Sequence, residues 1–170
     1  MSANSGNGTQ IDVTFKAALN LRTTTAQYMV VGIVPGSTGA DYTVEGCFNS
    51  ATNGGATSTS RFAIGVNQSY MSANSTECTV RLLGISKVKC GDSITAGEWL
   101  MAAVGTPTST LYGTVMAVND QVTSSAATMS TTAHQTILGR SLEDGSTSTV
   151  IGAFINPQMY DANLVASTTA

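Results

Sequence analysis

An all-β fold, a small barrel or sandwich, is predicted for this 170-residue chain by three observations. Apolar residues fall in short runs that alternate with polar ones; Gly, Asn, Pro and Ser clusters bound almost every run; and 42% apolar content is enough for one core. One domain is expected. Within it, a flexible N-terminal arm over residues 1–9, a β body over 10–158 and a C-terminal tail over 159–170 are predicted from where the apolar patterning starts and stops.

The arm, MSANSGNGT, has almost nothing to bury. From Gln10 the pattern changes, as Ile11, Val13 and Phe15 alternate with Asp12, Thr14 and Lys16, which predicts a half-buried strand. A second strand, Tyr28 to Val34, is stopped by Pro35-Gly36, and a third, Tyr42 to Phe48, turns Tyr42, Val44 and Gly46 one way and Thr43, Glu45 and Cys47 the other. The loop Asn49 to Ser60 carries Asn-Gly-Gly, a hairpin signal that predicts antiparallel pairing of this third strand with the next, Arg61 to Asn67. Gln68 to Thr76 is a polar loop, and its Met71-Ser72-Ala73-Asn74 matches the first four residues over too short a length to be a repeat.

Thr79 to Ala102, TVRLLGISKVKCGDSITAGEWLMA, is the stretch around which the rest is organised. Val80, Leu82, Val88 and Cys90 share one face of its strand, and Arg81, Leu83, Ile85, Lys87 and Lys89 the other. Leu82, Leu83 and Ile85 predict a centre buried on both faces, with Arg81, Lys87 and Lys89 at wetter ends. Cys90-Gly91-Asp92 and Ser93 to Gly97 supply two turns, and Glu98 to Ala102 starts a returning strand in which Trp99, beside Leu100 and Met101, is expected to pack in the core. Gly105-Thr106-Pro107 breaks the chain, Leu111 to Val118 reads as a strand, and Gln121 to Gln135 allows a long loop or one short helix. Thr136 to Leu142 and Thr147 to Ile155 are the closing strands, joined by the turn Glu143-Asp144-Gly145-Ser146, and Pro157 is expected to end the last one because it has no N–H for a ladder.

Only 10% of residues are charged, against about 25% in an average domain, so Ser, Thr, Asn and Gly make a neutral polar surface that is less costly to press against a neighbour. With 7 basic and 10 acidic residues the net charge is −3, which argues against a nucleic-acid partner; Lys87 and Lys89 are expected to be solvated charges at a strand end. No apolar run approaches the ~18 to 20 residues of a membrane span, and Met1 to Gln10 lacks the basic start and apolar middle of a secretory signal. Cys47, Cys78 and Cys90 are far apart without C-x-x-C spacing, so buried reduced thiols are expected rather than a disulfide framework or a metal site.

Catalytic chemistry has no sequence support. His134 is the single histidine, no G-x-S-x-G elbow is present, Glu143 and Asp144 precede a glycine as turn residues do, and Asn53-Gly54-Gly55 lacks the lysine of a phosphate loop. The expectation is no enzyme, no metal and no cofactor. Asn-x-Ser/Thr at Asn7, Asn67 and Asn74 follows from the abundance of Ser and Thr.

LLGISKVK followed by a Gly-Asp turn and ITAGEWLMA, and later ILGRSLEDGSTSTVIGAFINPQ, resemble the small head-decoration or capsid-cement proteins of tailed bacteriophages. The likeness covers Phe62 to Gln158, with its signatures at Val80 to Leu100 and Ile137 to Ile155; residues 1–61 and those after Met159 have no counterpart, and 103–136 is longer than is usual there. It implies a virion structural protein, made in the host cytoplasm, that sits on the outer capsid surface and stabilises it by bridging major capsid subunits, as a homo-oligomer and preferentially a trimer. On that reading the arm and tail are the reaching elements, and Ser2, Asn4, Thr9, Ile11, Met159, Tyr160 and Leu164 are the expected partner contacts. The alternative is a glycan- or cell-surface-binding β module of a virion fibre, which would favour exposed aromatics.

Overall fold

A computed structural model describes residues 9–34, 42–47, 62–103, 111–118 and 135–160. Among them the named elements are strands, apart from single 3₁₀ turns at Leu19–Leu21 and Thr24–Ala26. The predicted all-β class is what the chain adopts, as a closed five-stranded barrel with further strands. The strands are β1 (Ile11–Ala17), β2 (Val30–Ile33), β3 (Thr43–Gly46), β4 (Ala63–Asn67), β5 (Glu77–Lys89), β6 (Trp99–Ala102), β7 (Val115–Ala117), β8 (Gln135–Ser141) and β9 (Val150–Tyr160).

Their order is β1-β3-β2-β4-β5-β9-β8-β6-β7, and β1 also pairs with β5, which closes the first five into a ring. Only β1–β3 is parallel in that ring. A five-stranded barrel has room inside for side chains and little else. Val31, Val44, Cys78 and Val80, with Phe15, Ile64 and Leu82, come from all five strands into one cluster, and Leu21, Ala26 and Met71 join it.

β5 serves both halves of the molecule. Its N-terminal part pairs with β1 and β4, while Gly84 to Lys89 pairs with β9, the first strand of an open sheet that continues through β8 and β6 to β7. The alternation of β5 holds along its length: Cys78, Val80, Gly84, Ser86 and Val88 are buried, Ile85 and Lys87 exposed. Its centre is therefore not buried on both faces as expected, and Ile85 is 63% exposed.

A second core lies between the open sheet and the barrel wall. Val88, Leu100, Ala102, Val115, Leu138, Ile151, Ala153 and Ile155 pack there against Val30, Ala63 and Val66. Each fully buried Val, Leu or Ile contributes about 1.5–3 kcal/mol. Val30 and Val31, adjacent in β2, point one into each core, which is how a single strand layer ties two cores together.

Two expected pairings and two expected strand bounds differ. β3 and β4 are not neighbours, because β2 lies between them and pairs with both. β6 does not return beside β5, since β9 and β8 stand between. Pro157 does not end the last strand. Ile137 pairs with Gln158 and Gly139 with Ile155, so Asn156 and Pro157 face the single residue Leu138 in a bulge, where the missing N–H leaves no rung broken. The expected strand Leu111 to Val118 is shorter, because Leu111–Gly113 forms a turn with Gly113 at φ +70°.

Candidate functional site

The two stretches that carry the sequence resemblance meet in space. The segments 90–99, from the end of β5 into β6, and 141–150, from the end of β8 into β9, make the same hydrogen bonds to one another in both directions. Gly97 N–H donates to Ser141 O and Ser148 N–H to Cys90 O; Ser141 N–H donates to Glu98 O and Cys90 N–H to Thr149 O. Ile94 and Gly145 sit on the axis and exchange both bonds, at 2.9 and 2.8 Å. Gly97 and Ser148 occupy matching left-handed positions, at φ +89° and +70°. Each loop closes its own turn with a matching side chain, as Glu98 Oε2 accepts from Thr95 N–H and Thr149 Oγ1 from Ser146 N–H. The strands follow the same local two-fold: Lys89 pairs with Val150 as Arg140 pairs with Trp99, and Val88 with Ile151 as Gly139 with Leu100. The sequence hides this duplication because the matching bonds are mostly backbone, so CGDSITAGEW and SLEDGSTSTV need not look alike.

Glycine makes the close strand approaches possible. A Cβ on Gly139 would lie 1.9 Å from the Phe154 carbonyl oxygen, and one on Gly65 2.2 Å from that of Arg81. At both seams a side chain would force backbone apart.

The clip so formed presents one face of the open sheet outward. Ile85 pairs with Phe154, Phe154 with Arg140, and Arg140 with Trp99, giving a row in register across β5, β9, β8 and β6. Phe154 is 42% and Trp99 50% exposed. Trp99 is thus not a core residue as expected. The period of two turns its neighbour Leu100 inward and leaves the indole outside. The Arg140 guanidinium lies over the ring, 5.2 Å from its centroid, and Arg140 Nε donates to Gly97 O, which holds both side chains in place. Farther along the same sheet Met101, Ala103 and Met116 form a separate buried cluster, so the open part of the face ends at Trp99.

The sequence-predicted contacts are scattered rather than brought together. Ser2, Asn4 and Leu164 lie outside the described residues, as does His134. Thr9 is exposed before β1, and Ile11 is a 43%-exposed residue of β1 paired with Leu83. Met159 and Tyr160 belong to β9, paired with Thr136 and Gln135, so the last strand continues two residues into the expected tail. The row on the open sheet was missed; Arg140 and Trp99, one turn-flanking residue in each signature stretch, were its only trace in the sequence.

Burial governs the remaining polar groups. Cys47, Cys78 and Cys90 are buried thiols outside any disulfide. Burial pushes the Cys78 thiol up to about 11 and raises that of Cys90 against a hydrogen bond from Thr149, so neither is a ready nucleophile. Burial likewise raises the Tyr112 phenol, with Glu45 and Cys47 nearby adding to it, and lowers Lys89, whose Nζ donates to Thr25 O instead of standing free in solvent. A cleft of about 180 Å³ beside the clip is lined by Lys89, Cys90, Leu111, Thr114 and Ser148. No group of three or more His, Cys, Asp or Glu able to hold a metal occurs among the described residues. Nor is any described helix long and apolar enough to cross a membrane.

No family model and no curated protein matches the chain. Among solved structures it is similar to the N base of the head fiber protein gp8.5 of bacteriophage phi29, at 13% identity and a TM-score of 0.45, over 87% of this chain and 95% of that one.

Proposed function

We propose that the protein is a virion structural protein that binds the outer surface of an assembled bacteriophage head and stabilises it by bridging neighbouring major capsid subunits. The observation that carries this reading is that the two stretches resembling head-decoration proteins, Val80 to Leu100 and Ile137 to Ile155, form the two halves of one clip. Two distant stretches that fold into one paired unit are a more specific likeness than either alone. The surface chemistry agrees: few charges and an apolar row are inexpensive to desolvate against a protein neighbour. Several weak footholds per copy, multiplied by self-association, raise avidity by ~10² to 10⁴ without any strong single contact.

On this reading Ser2, Asn4, Thr9 and Ile11 from the N-terminal arm and β1, and Met159, Tyr160 and Leu164 from the C-terminal tail, reach neighbouring subunits. An extended chain spans about 3.3 Å per residue, so an arm of this length crosses roughly 30 Å. The test is co-sedimentation with purified empty heads. The full chain is expected in the pellet, and deletion of residues 2–9 should weaken binding while leaving the melting temperature of the free protein nearly unchanged. Equal binding by the truncated chain removes the arm from the docking surface, and no binding by the full chain removes the capsid reading.

A second reading, a glycan- or cell-surface-binding module of a virion fibre, draws on the half-exposed Trp99, whose ring could stack on a sugar. Soluble oligosaccharides that shift Trp99 emission, with no affinity for heads, would favour it.

A further inference from the structure

Two rows of side chains stand on the outward face of the open sheet. The first is Ile85, Phe154, Arg140 and Trp99. In the second, the Glu143 carboxylate lies over β9, accepting the Gly152 N–H at 2.9 Å, with Lys87 to one side on β5 and the half-exposed Leu142 to the other. Arg140 is stacked on Trp99 and tied to Gly97 O, yet among the described residues no carboxylate pairs with it. A guanidinium oriented by an aromatic ring, with its terminal N–H groups left over, is the composition of an interface hot spot.

The order of the row carries the argument. β9 and β8 are the middle two of the four strands β5-β9-β8-β6. A two-fold axis running along the strands between them exchanges β8 with β9 and β6 with β5. Two copies packed face to face about this axis place Arg140 of each against Phe154 of the other, and Trp99 against Ile85. The same operation brings Glu143, one step along β9 from Phe154, beside the opposing Arg140, while Lys87 meets the Gly97 turn. Carboxylate meets cation and apolar meets apolar, while the Lys87 ammonium, which would fall near the opposing Arg140, is drawn aside over the Tyr28 ring, 5.9 Å from its centroid.

We propose that this face is a self-complementary docking surface for a second copy of the chain. The inference does not rest on the capsid reading. Four strands abreast span about 14 Å, so the patch is small beside the roughly 800 Å² per partner of a standard interface. Pairing is accordingly weak between free molecules and strengthened wherever copies are held side by side.

Sedimentation equilibrium of the full chain between ~10 µM and ~1 mM tests it, the range in which a small interface shows its dissociation constant. A monomer–dimer equilibrium is expected. Arg140→Glu and Glu143→Arg should each weaken it tenfold or more, as should Phe154→Ser, with circular dichroism melts confirming that each variant folds. The double variant R140E/E143R should recover most of the loss, since every reversed charge then meets its complement on the other copy. A chain that stays monomeric, a trimer or any other assembly unmoved by these substitutions, or a double variant no better than the singles overturns the proposal. So does a monomer whose face takes up an oligosaccharide instead, seen as a shift in Trp99 emission.

Discussion

The two sheets that share β5 treat their edges in opposite ways. In the barrel, ring closure leaves β1, β2, β3 and β4 each with two neighbours around a filled interior, although Ile11, Val13 and Ile33 still face outward. The open sheet buries one face on the barrel and leaves Ile85, Phe154 and Trp99 in solvent on the other. The contrast separates two tasks within one chain. Closure supplies a rigid support, and the sheet that does not close holds an apolar and cationic row at fixed spacing.

The largest expected effect comes from breaking either seam. Gly65→Ala in the barrel and Gly139→Ala in the open sheet each drive a Cβ into backbone, and each should cost ~3 kcal/mol or more. Trp99, the single tryptophan, reports on the open sheet, whereas far-UV circular dichroism reports on both. Because β5 belongs to both sheets, the two signals should share one transition in denaturant for either variant. Separate midpoints, with Gly65→Ala melting the barrel while Trp99 emission stays native, would make the sheets independent and dissolve the comparison.

A smaller effect sits at the mouth of the barrel. Asn67 is fully buried; its Nδ2 donates to Ala26 O and Ser69 O, and its Oδ1 accepts from Ser69 N–H. Asn67→Ala removes both donors and the acceptor and should lower stability by about 2–3 kcal/mol in chemical denaturation. A loss under about 0.5 kcal/mol would mean that the loop after β4 is held by packing alone.

The smallest is the ion pair on the outside of the ring. Arg81 donates to Asp12 at 2.8 and 2.9 Å, and this hydrogen bonding holds the carboxyl below its ordinary pKa. A depressed carboxylate contributes stability that is complete above its unfolded pKa and disappears as pH falls through the folded one. Asp12→Asn should therefore cost less than about 1 kcal/mol at neutral pH, and nothing once the pH is well below the folded value. A thermal melt series against pH for the two proteins checks the sign: the curves should converge toward acid.

Local pattern was legible in the sequence where one segment decides the outcome. The period of two through β5, though not the burial of its centre, the turns at Gly97 and Gly145, and the β-rich class follow from residue periods and turn chemistry. Pairing partners were not legible. Asn-Gly-Gly says that a chain reverses, but β2 takes the place beside β3 and β4 because its two valines serve two cores at once. Pro157 was misread for a similar reason, since whether its missing N–H matters depends on Leu138 across the ladder. Trp99 shows the same limit for the site: large apolar residues are usually buried, and only the register of β6 against β8 tells which face the indole takes.

The shared strand also sets how load would pass through the molecule. β5 is hydrogen-bonded along one part to β1 and along the other to β9, both antiparallel, through six register pairs on each side. Tension entering through β9 and leaving through β1 would pull these ladders lengthwise, so their bonds share the force and break together instead of unzipping one at a time. The clip adds a lock at the end of the β5–β9 ladder, because the paired loops must separate before the strands can slide. A body built this way resists sudden pulls along its strands far better than peeling across them.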